Sequence, residues 1–319
     1  MAELRFDGRA VLVTGAGRGM GREHALLFAK RGAKVVVSDV GTTLFGTGAD
    51  TTHAEETVRL IREAGGEAVP YVEDLSTEAG ARGAVKAAVA AFGRIDAVVH
   101  NAGFTLGGMP FEKENLDRLE RLLAINTRAA YAIVQEAWPL MREQNYGRVV
   151  IVGSGAMYGM GGSIPYSTAK ASYIGLVRGL AHEGAARNIK VNGTAPAGAT
   201  RMAENMSESE FRTWFLKTMR PELTSPLVAL LGHDDCPVTG EFFVVGGGRV
   251  ARTVIGETRG HIDAGMTVES LRDRMGEIMS EPPASQPASC EDALAYFMDV
   301  LGYKSTGKIA SVARPVAND

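Results

Sequence analysis

The chain has 319 residues, 45% of them hydrophobic and 22% charged, which is ordinary globular usage and excludes a disordered or fibrous protein. Its 34 Lys and Arg against 37 Asp and Glu leave a formal charge of -3, without the basic excess that a phosphate-backbone binder needs, so no nucleic-acid partner is expected. Cys236, Cys290 and six scattered histidines show neither a disulfide framework nor metal-ligand spacing, and no metal is expected. No apolar run approaches ~18 residues, so no membrane span is expected. The opening stretch MAELRFDGRAVLVTG lacks the basic-then-apolar order of a secretory signal, and a reducing, cytoplasmic location is the expectation.

Strands and helices alternate from the start. The pattern predicts strands at 10–15, 34–39, 68–74 and 95–103, separated by helices at 20–32, 53–64 and 77–92. A long helix is expected over 115–143, bent near its end by Pro139. A strand at 148–154, a helix at 165–187, a strand at 189–196 and a last strand at 239–248 complete the rhythm. The Met-rich stretch 200–230 is expected to hold two short helices that cover the sheet's carboxyl edge. Such alternation implies right-handed βαβ units: an α/β fold with a single Rossmann-type, doubly wound parallel sheet. The expected division is a domain over 1–250 that holds this sheet and a partly helical C-terminal extension over 251–319, packing on the core or on a partner subunit. In that extension the spacing predicts helices at 267–280 and 290–302, joined by the Pro/Ser linker EPPASQPAS.

Thr14-Gly15-Ala16-Gly17-Arg18-Gly19-Met20-Gly21 follows the first strand and opens a helix. Glycines there permit a tight turn, and the helix N-terminus favours a pyrophosphate. Gly15, Arg18, Gly19, Met20 and Gly21 are therefore candidate cofactor contacts. Asp39, at the end of the second strand, is placed to accept hydrogen bonds from the adenosine ribose and to repel a 2′-phosphate, which favours NAD over NADP. Asp74-Leu75 and Asn101-Ala102-Gly103 fall at the carboxyl ends of the third and fourth strands, where open α/β sheets bind ligands.

Tyr166 and Lys170 stand four apart at the start of a helix and share a face. A phenol is a poor base at neutral pH; a nearby ammonium, joined by the positive charge of oxidised nicotinamide, favours its phenolate. Tyr166 is then a candidate base for an alcohol, or acid for a ketone. Ser154 is a candidate for holding the substrate oxygen. A buried Asn126 amide is expected to bend its helix and extend a proton path from Lys170.

With these motifs in place the chain resembles the short-chain dehydrogenase/reductase family over about residues 5–250: TGAGRGMG, Asp74-Leu75, HNAG, YSTAK and Asn192-Gly193-Thr194-Ala195-Pro196 all match. The resemblance implies a catalytic tetrad of Asn126, Ser154, Tyr166 and Lys170. It also implies further cofactor contacts at Tyr166, Lys170, Pro196, Gly198 and Thr200. Eleven residues, 155–165, separate Ser154 from Tyr166, one fewer than usual; counted back from Tyr166, Gly153 takes the serine's place. HNAG stands where NNAG is commoner.

Within the family, SDVGTTLFGTGAD, APAGATRM and RPELTSPLVALLGHDDCPVTGEFFVVGGG are similar to the (3R)-hydroxyacyl-CoA dehydrogenase units of multifunctional enzymes type 2. That likeness implies an NAD-dependent dehydrogenase of 3-hydroxyacyl-CoA esters. A hydroxysteroid or other secondary-alcohol dehydrogenase is the alternative, and the family implies a homodimer or homotetramer. From another class, a non-catalytic NAD-binding regulator stands open, although such a protein has no need of Tyr166 and Lys170 together. Arg201, Arg212, Lys217 and Arg220 are candidates for meeting CoA phosphates, with a plain solvated helix face as the alternative. Met157, Met160, Met202 and Met206 read either as an adaptable pocket or as core.

Overall fold

A computed structural model describes residues 3–199 and 207–303. Thr200, Arg201, Met202 and Met206 lie outside the described residues. Contacts divide the chain into two units, Met1–Arg252 and Thr253–Asp319.

In the first unit the strands are β1 (Ala10–Thr14), β2 (Lys34–Ser38), β3 (Glu67–Tyr71), β4 (Ala97–His100), β5 (Gly147–Val152), β6 (Ile189–Pro196), β7 (Phe242–Gly246) and β8 (Arg249–Thr253). They form one sheet in the order β3-β2-β1-β4-β5-β6-β7-β8. Every pairing from β3 through to β7 is parallel. β8 was not expected; it returns from β7 through the two-residue Gly247-Gly248 turn and so runs antiparallel at the edge. The order reverses between β1 and β4, and ligands bind at the carboxyl ends flanking such a switch.

The helices are α1 (Gly19–Lys30), α2 (Thr52–Glu63), α3 (Glu78–Phe92), α4 (Leu116–Leu123), α5 (Ala129–Gln144), α6 (Ile164–Gly184), α7 (Glu210–Thr218) and α8 (Ser225–Leu231). Alternate strand residues feed two cores, as the two-residue period requires. Val11, Val13, Val35 and Val37 pack with α1 and α2 residues such as Phe28 and Ile61. Leu12, Val36, Val98 and Val149 pack on the other face with Val85, Ile133 and Tyr173. Both sheet faces are covered, which is why these strands read as continuous Val and Ile.

The expected single helix over 115–143 is in fact two, joined by a π-helical turn at Ala124–Arg128. Pro139 sits inside α5. The interruption therefore falls at Asn126, where one extra residue per turn widens the coil.

In the second unit, α9 (Val268–Ser280) starts with a Thr267/Ser270 capping box and α10 (Cys290–Val300) with a Ser289 cap. Neither helix buries a residue. No described helix is long and apolar enough to cross a membrane.

Candidate active site

A cavity of about 690 Å³ opens at the carboxyl ends of β1, β2 and β4. Gly15, Arg18, Gly19, Met20, Gly21, Asp39, Asp74, Leu75, Asn101, Ala102 and Gly103 all line it. The glycine turn is packed as tightly as backbone allows: a methyl at Gly21 would stand 2.1 Å from the Gly15 carbonyl oxygen. Asn101 fastens the turn by donating from Nδ2 to the carbonyls of Thr14 (3.2 Å) and Gly15 (3.1 Å). At the start of α1, Arg18 provides no side-chain cap and the first turn carries no acidic residue. The backbone N–H groups there and the positive end of the helix dipole thus face the cavity without an internal anion.

Asp39 accepts from the Gly17 N–H (2.8 Å) with one oxygen and from the Gly41 N–H (2.8 Å) with the other. A carboxylate has about four acceptor sites, so two remain for vicinal hydroxyls. Arg18 donates to the Thr42 carbonyl at 3.1 Å and braces the loop after β2. Arg121 of α4 holds the same loop through the Phe45 carbonyl (3.2 Å). These residues fit a dinucleotide: uncapped amides for the pyrophosphate and an oriented carboxylate for the ribose.

Tyr166 and Lys170 lie on α6, which Pro165 starts in its first turn, where a missing N–H costs nothing. The Lys170 ammonium is 4% exposed and donates to the Val152 carbonyl at 3.2 Å. It lies between two rings, 5.7 Å from the Tyr166 centroid and 4.9 Å from that of Tyr173. Ser154, the second residue after β5, accepts from the Ala156 N–H (3.2 Å), and its hydroxyl acts on the Tyr166 phenol to draw its pKa down. Gly153 instead donates its N–H to the Thr194 carbonyl at 2.6 Å. The strand end thus brings Ser154, and not Gly153, to Tyr166.

Asn126 is fully buried in the π-turn. Its Nδ2 donates to the Leu122 carbonyl (2.9 Å), and its Oδ1 is buried without a partner. A methyl built on Gly103 would lie 2.4 Å from that Oδ1 and 3.5 Å from Lys170 Nζ. Gly103 therefore joins the cavity to the Asn126–Lys170 pair, and only a residue without a side chain permits it.

Electrostatically, burial pushes Lys170 down to about 7. Burial also pushes the Tyr166 phenol up, opposed by the Ser154 hydrogen bond. The expected acidification of Tyr166 by Lys170 is thus not what the protein produces alone. Desolvation penalises both charges, and the ammonium sits over rings rather than beside the hydroxyl.

Gly198 packs on Met20, where a methyl would come 2.8 Å from the sulfur, and Pro196 closes β6; neither lines the cavity. Of the sulfur side chains, Met157 joins the core while Met160 is exposed. Of the cations, Arg220 pairs with Glu222 at 3.2 Å, and Lys217 lies on the exposed face of α7. Sequence reasoning passed over Tyr173, whose hydroxyl donates to the Asn126 carbonyl at 2.6 Å. Its spacing of three from Lys170 on one helix face was the available signal.

A nucleotide-binding turn and a Tyr–Lys–Ser–Asn group at the carboxyl edge of one parallel sheet define an oxidoreductase acting on hydroxyl groups. The family model for short chain dehydrogenases matches residues 9–210, and the chain belongs to that family. It is 39% identical over 272 residues to a short-chain type dehydrogenase/reductase of Mycobacterium tuberculosis, covering 85% of this chain and 93% of that one. It is 38% identical to the peroxisomal multifunctional enzyme type 2 of Mus musculus over 93% of this chain, but spans only 40% of that enzyme's length. Among solved structures, a 7α-hydroxysteroid dehydrogenase complexed with NADH and 7-oxo glycochenodeoxycholic acid superposes with a TM-score of 0.69 at 28% identity, covering 78% of this chain and 98% of that one.

Proposed function

We propose that the protein is an NAD-dependent dehydrogenase that interconverts a secondary alcohol and its ketone, with a 3-hydroxyacyl-CoA as substrate. The observation that carries this reading is the gathering of Ser154, the Tyr166 phenol and a buried Lys170, one glycine away from the nucleotide cavity. When bound, the dinucleotide supplies a hydride-accepting carbon and a positive ring. Ser154 orients the substrate oxygen, and Tyr166 takes its proton on oxidation or returns it on reduction. Lys170 stabilises the phenolate, and Asn126 Oδ1 continues the proton path beyond Lys170.

Asp39 supports NAD over NADP, because a carboxylate held at the end of β2 by the Gly17 and Gly41 N–H groups would repel a 2′-phosphate brought to it. Gly15, Gly19, Met20 and Gly21 would hold the pyrophosphate, with Asp74, Leu75, Asn101 and Ala102 forming the cavity wall. The hydroxyacyl-CoA assignment rests on the likeness to multifunctional enzyme type 2. The second reading, a hydroxysteroid dehydrogenase, is supported by the ligand of the structural neighbour. The protein works in the cytoplasm as a homodimer or homotetramer; fractionation and light scattering test those two points, and a micromolar monomer contradicts the second.

NADH oxidation with acetoacetyl-CoA, beside a 17-ketosteroid, separates the substrates. Turnover of the thioester at the higher kcat/KM is expected. Tight NADH binding without turnover of any carbonyl would instead make the protein a binding regulator.

A further inference from the structure

We propose that α6 clamps the π-turn at Ala124–Arg128 through two neighbouring residues, with Tyr173 and Thr127 as positioning residues that set where the Asn126 amide stands against Lys170. A part in proton handling rests on the dehydrogenase reading; the clamp itself rests on hydrogen bonds alone.

Tyr173 follows Lys170 by one turn of α6 and is fully buried. Its hydroxyl donates to the Asn126 carbonyl at 2.6 Å. Burial pushes this phenol well above its ordinary range, so it keeps its proton and remains a donor. The ring is held on two sides. Its centroid lies 4.9 Å from Lys170 Nζ, within cation–π reach, and it meets the His100 ring edge-on at 6.4 Å. His100 is in turn joined to Thr14 at 3.2 Å across the β1–β4 pair.

Thr127 supplies the second point. Ser172 gives its one hydroxyl proton to the Ala169 carbonyl at 2.7 Å. Thr127 Oγ1 lies 3.0 Å from Ser172 Oγ and 3.3 Å from the Ala169 carbonyl, so its own proton is directed to that side. Consecutive residues of the turn thus engage 169, 172 and 173, on either side of Lys170 in the same helix. A π-turn gives up the regular α-helical spacing. The two contacts from α6 hold what that spacing no longer does. Asn126 does little to fix itself: Nδ2 donates to the Leu122 carbonyl at 2.9 Å and, at longer range, to that of Phe104 at 3.5 Å, while Oδ1 has no partner. Where Oδ1 stands, with Gly103 as the neighbour it shares with Lys170 Nζ, is therefore decided by the clamped backbone beneath it.

Tyr173→Phe keeps the ring over Lys170 and removes only the hydroxyl; Thr127→Val keeps the shape and removes the other contact. Tyr173→Phe should lower kcat roughly tenfold and Thr127→Val about threefold, with KM and NADH affinity unchanged, the penalty of slight misplacement. A hydroxyl that served stability alone would lower the melting temperature and leave kcat per folded molecule intact. In asparagine-labelled protein, the Asn126 side-chain amide signal, assigned with Asn126→Ala, should move in both variants. In an Asn126→Ala background, Tyr173→Phe should leave the remaining kcat unchanged, because residues that act through one group are not additive. An unmoved signal, full kcat in Tyr173→Phe, or an equal loss in both backgrounds overturns the proposal. Should Tyr173→Phe fail to fold, Thr127→Val, at a half-buried position, decides by the same three readings. A wild-type protein that turns over no carbonyl, yet shows the Asn126 signal moving in the variants, would retain the clamp and sink the dehydrogenase reading instead.

Discussion

At the amino-terminal edge of the sheet, Asp96 is 1% exposed yet accepts from Arg9, from Arg94 and from the Ala10 N–H. Beside it the buried Arg148 donates to the carbonyls of Gly147, Asn188, His233 and Asp234. Tyr146 is sandwiched between the Arg9 and Arg148 guanidiniums, 4.0 and 4.3 Å from its ring centre. At the carboxyl edge of the same strands, the equally enclosed Asn126 and His100 each leave one atom without a partner, and Lys170 has one acceptor. One edge has its charges matched and serves stability. The other keeps spare donors and acceptors, which cost stability and are the groups a reaction can use.

The contrast breaks most sharply at Tyr166. Tyr166→Phe should lower kcat about a thousandfold, within the range of a lost general acid–base, and leave the denaturation midpoint nearly unchanged. Turnover that survives would remove the functional edge from the comparison. The complementary change, Asp96→Ala, should cost about 3 kcal/mol in urea unfolding, because it strips the acceptor from a buried cluster, with kcat per folded molecule intact.

A pH series sharpens the same point on α1. Burial pushes His24 down to about 3 from an ordinary 6.5. Its Nδ1 contacts the Ser225 hydroxyl at 2.8 Å. The unfolded chain takes up a proton below 6.5 that the folded one refuses, so this residue's contribution to stability falls as pH drops from about 6.5 toward 3, at up to ~1.4 kcal/mol per unit. His24→Gln should flatten that part of the melting-temperature profile; an unaltered slope would refute a buried neutral ring. The smallest effect is expected at Asp39. Asp39→Ala should narrow the NAD-over-NADP ratio of kcat/KM by about tenfold, the worth of a hydrogen bond to a charged group. An unchanged ratio rejects the ribose role.

The parallel sheet was legible because Val-rich runs alternate with amphipathic ones, and β1 through β7 lie within a few residues of where that pattern puts them. Glycine spacing and the Tyr166–Lys170 pair marked the site for the same reason: each is a local signal. The π-turn as such was not legible, since an extra residue in a helical coil leaves no periodic trace over so short a stretch; the Asn126 amide marked the place where the helix departs from regularity, but not the form of the departure. β8 was missed because its RVART lacks a clean apolar alternation. The Thr14–His100 contact depends on β1–β4 register, and the matched charges around Asp96 come from segments as far apart as Arg9 and Asp234. Such partners meet only in three dimensions.

Gly103 faces the nucleotide cavity on one side and the Asn126 oxygen and Lys170 nitrogen on the other. A single thickness of bare main chain thus stands between the cavity and the buried polar pair. On the proposed reading, electron pairs would be exchanged on one side of that wall and protons handed along on the other, close enough for each charge to be felt through it.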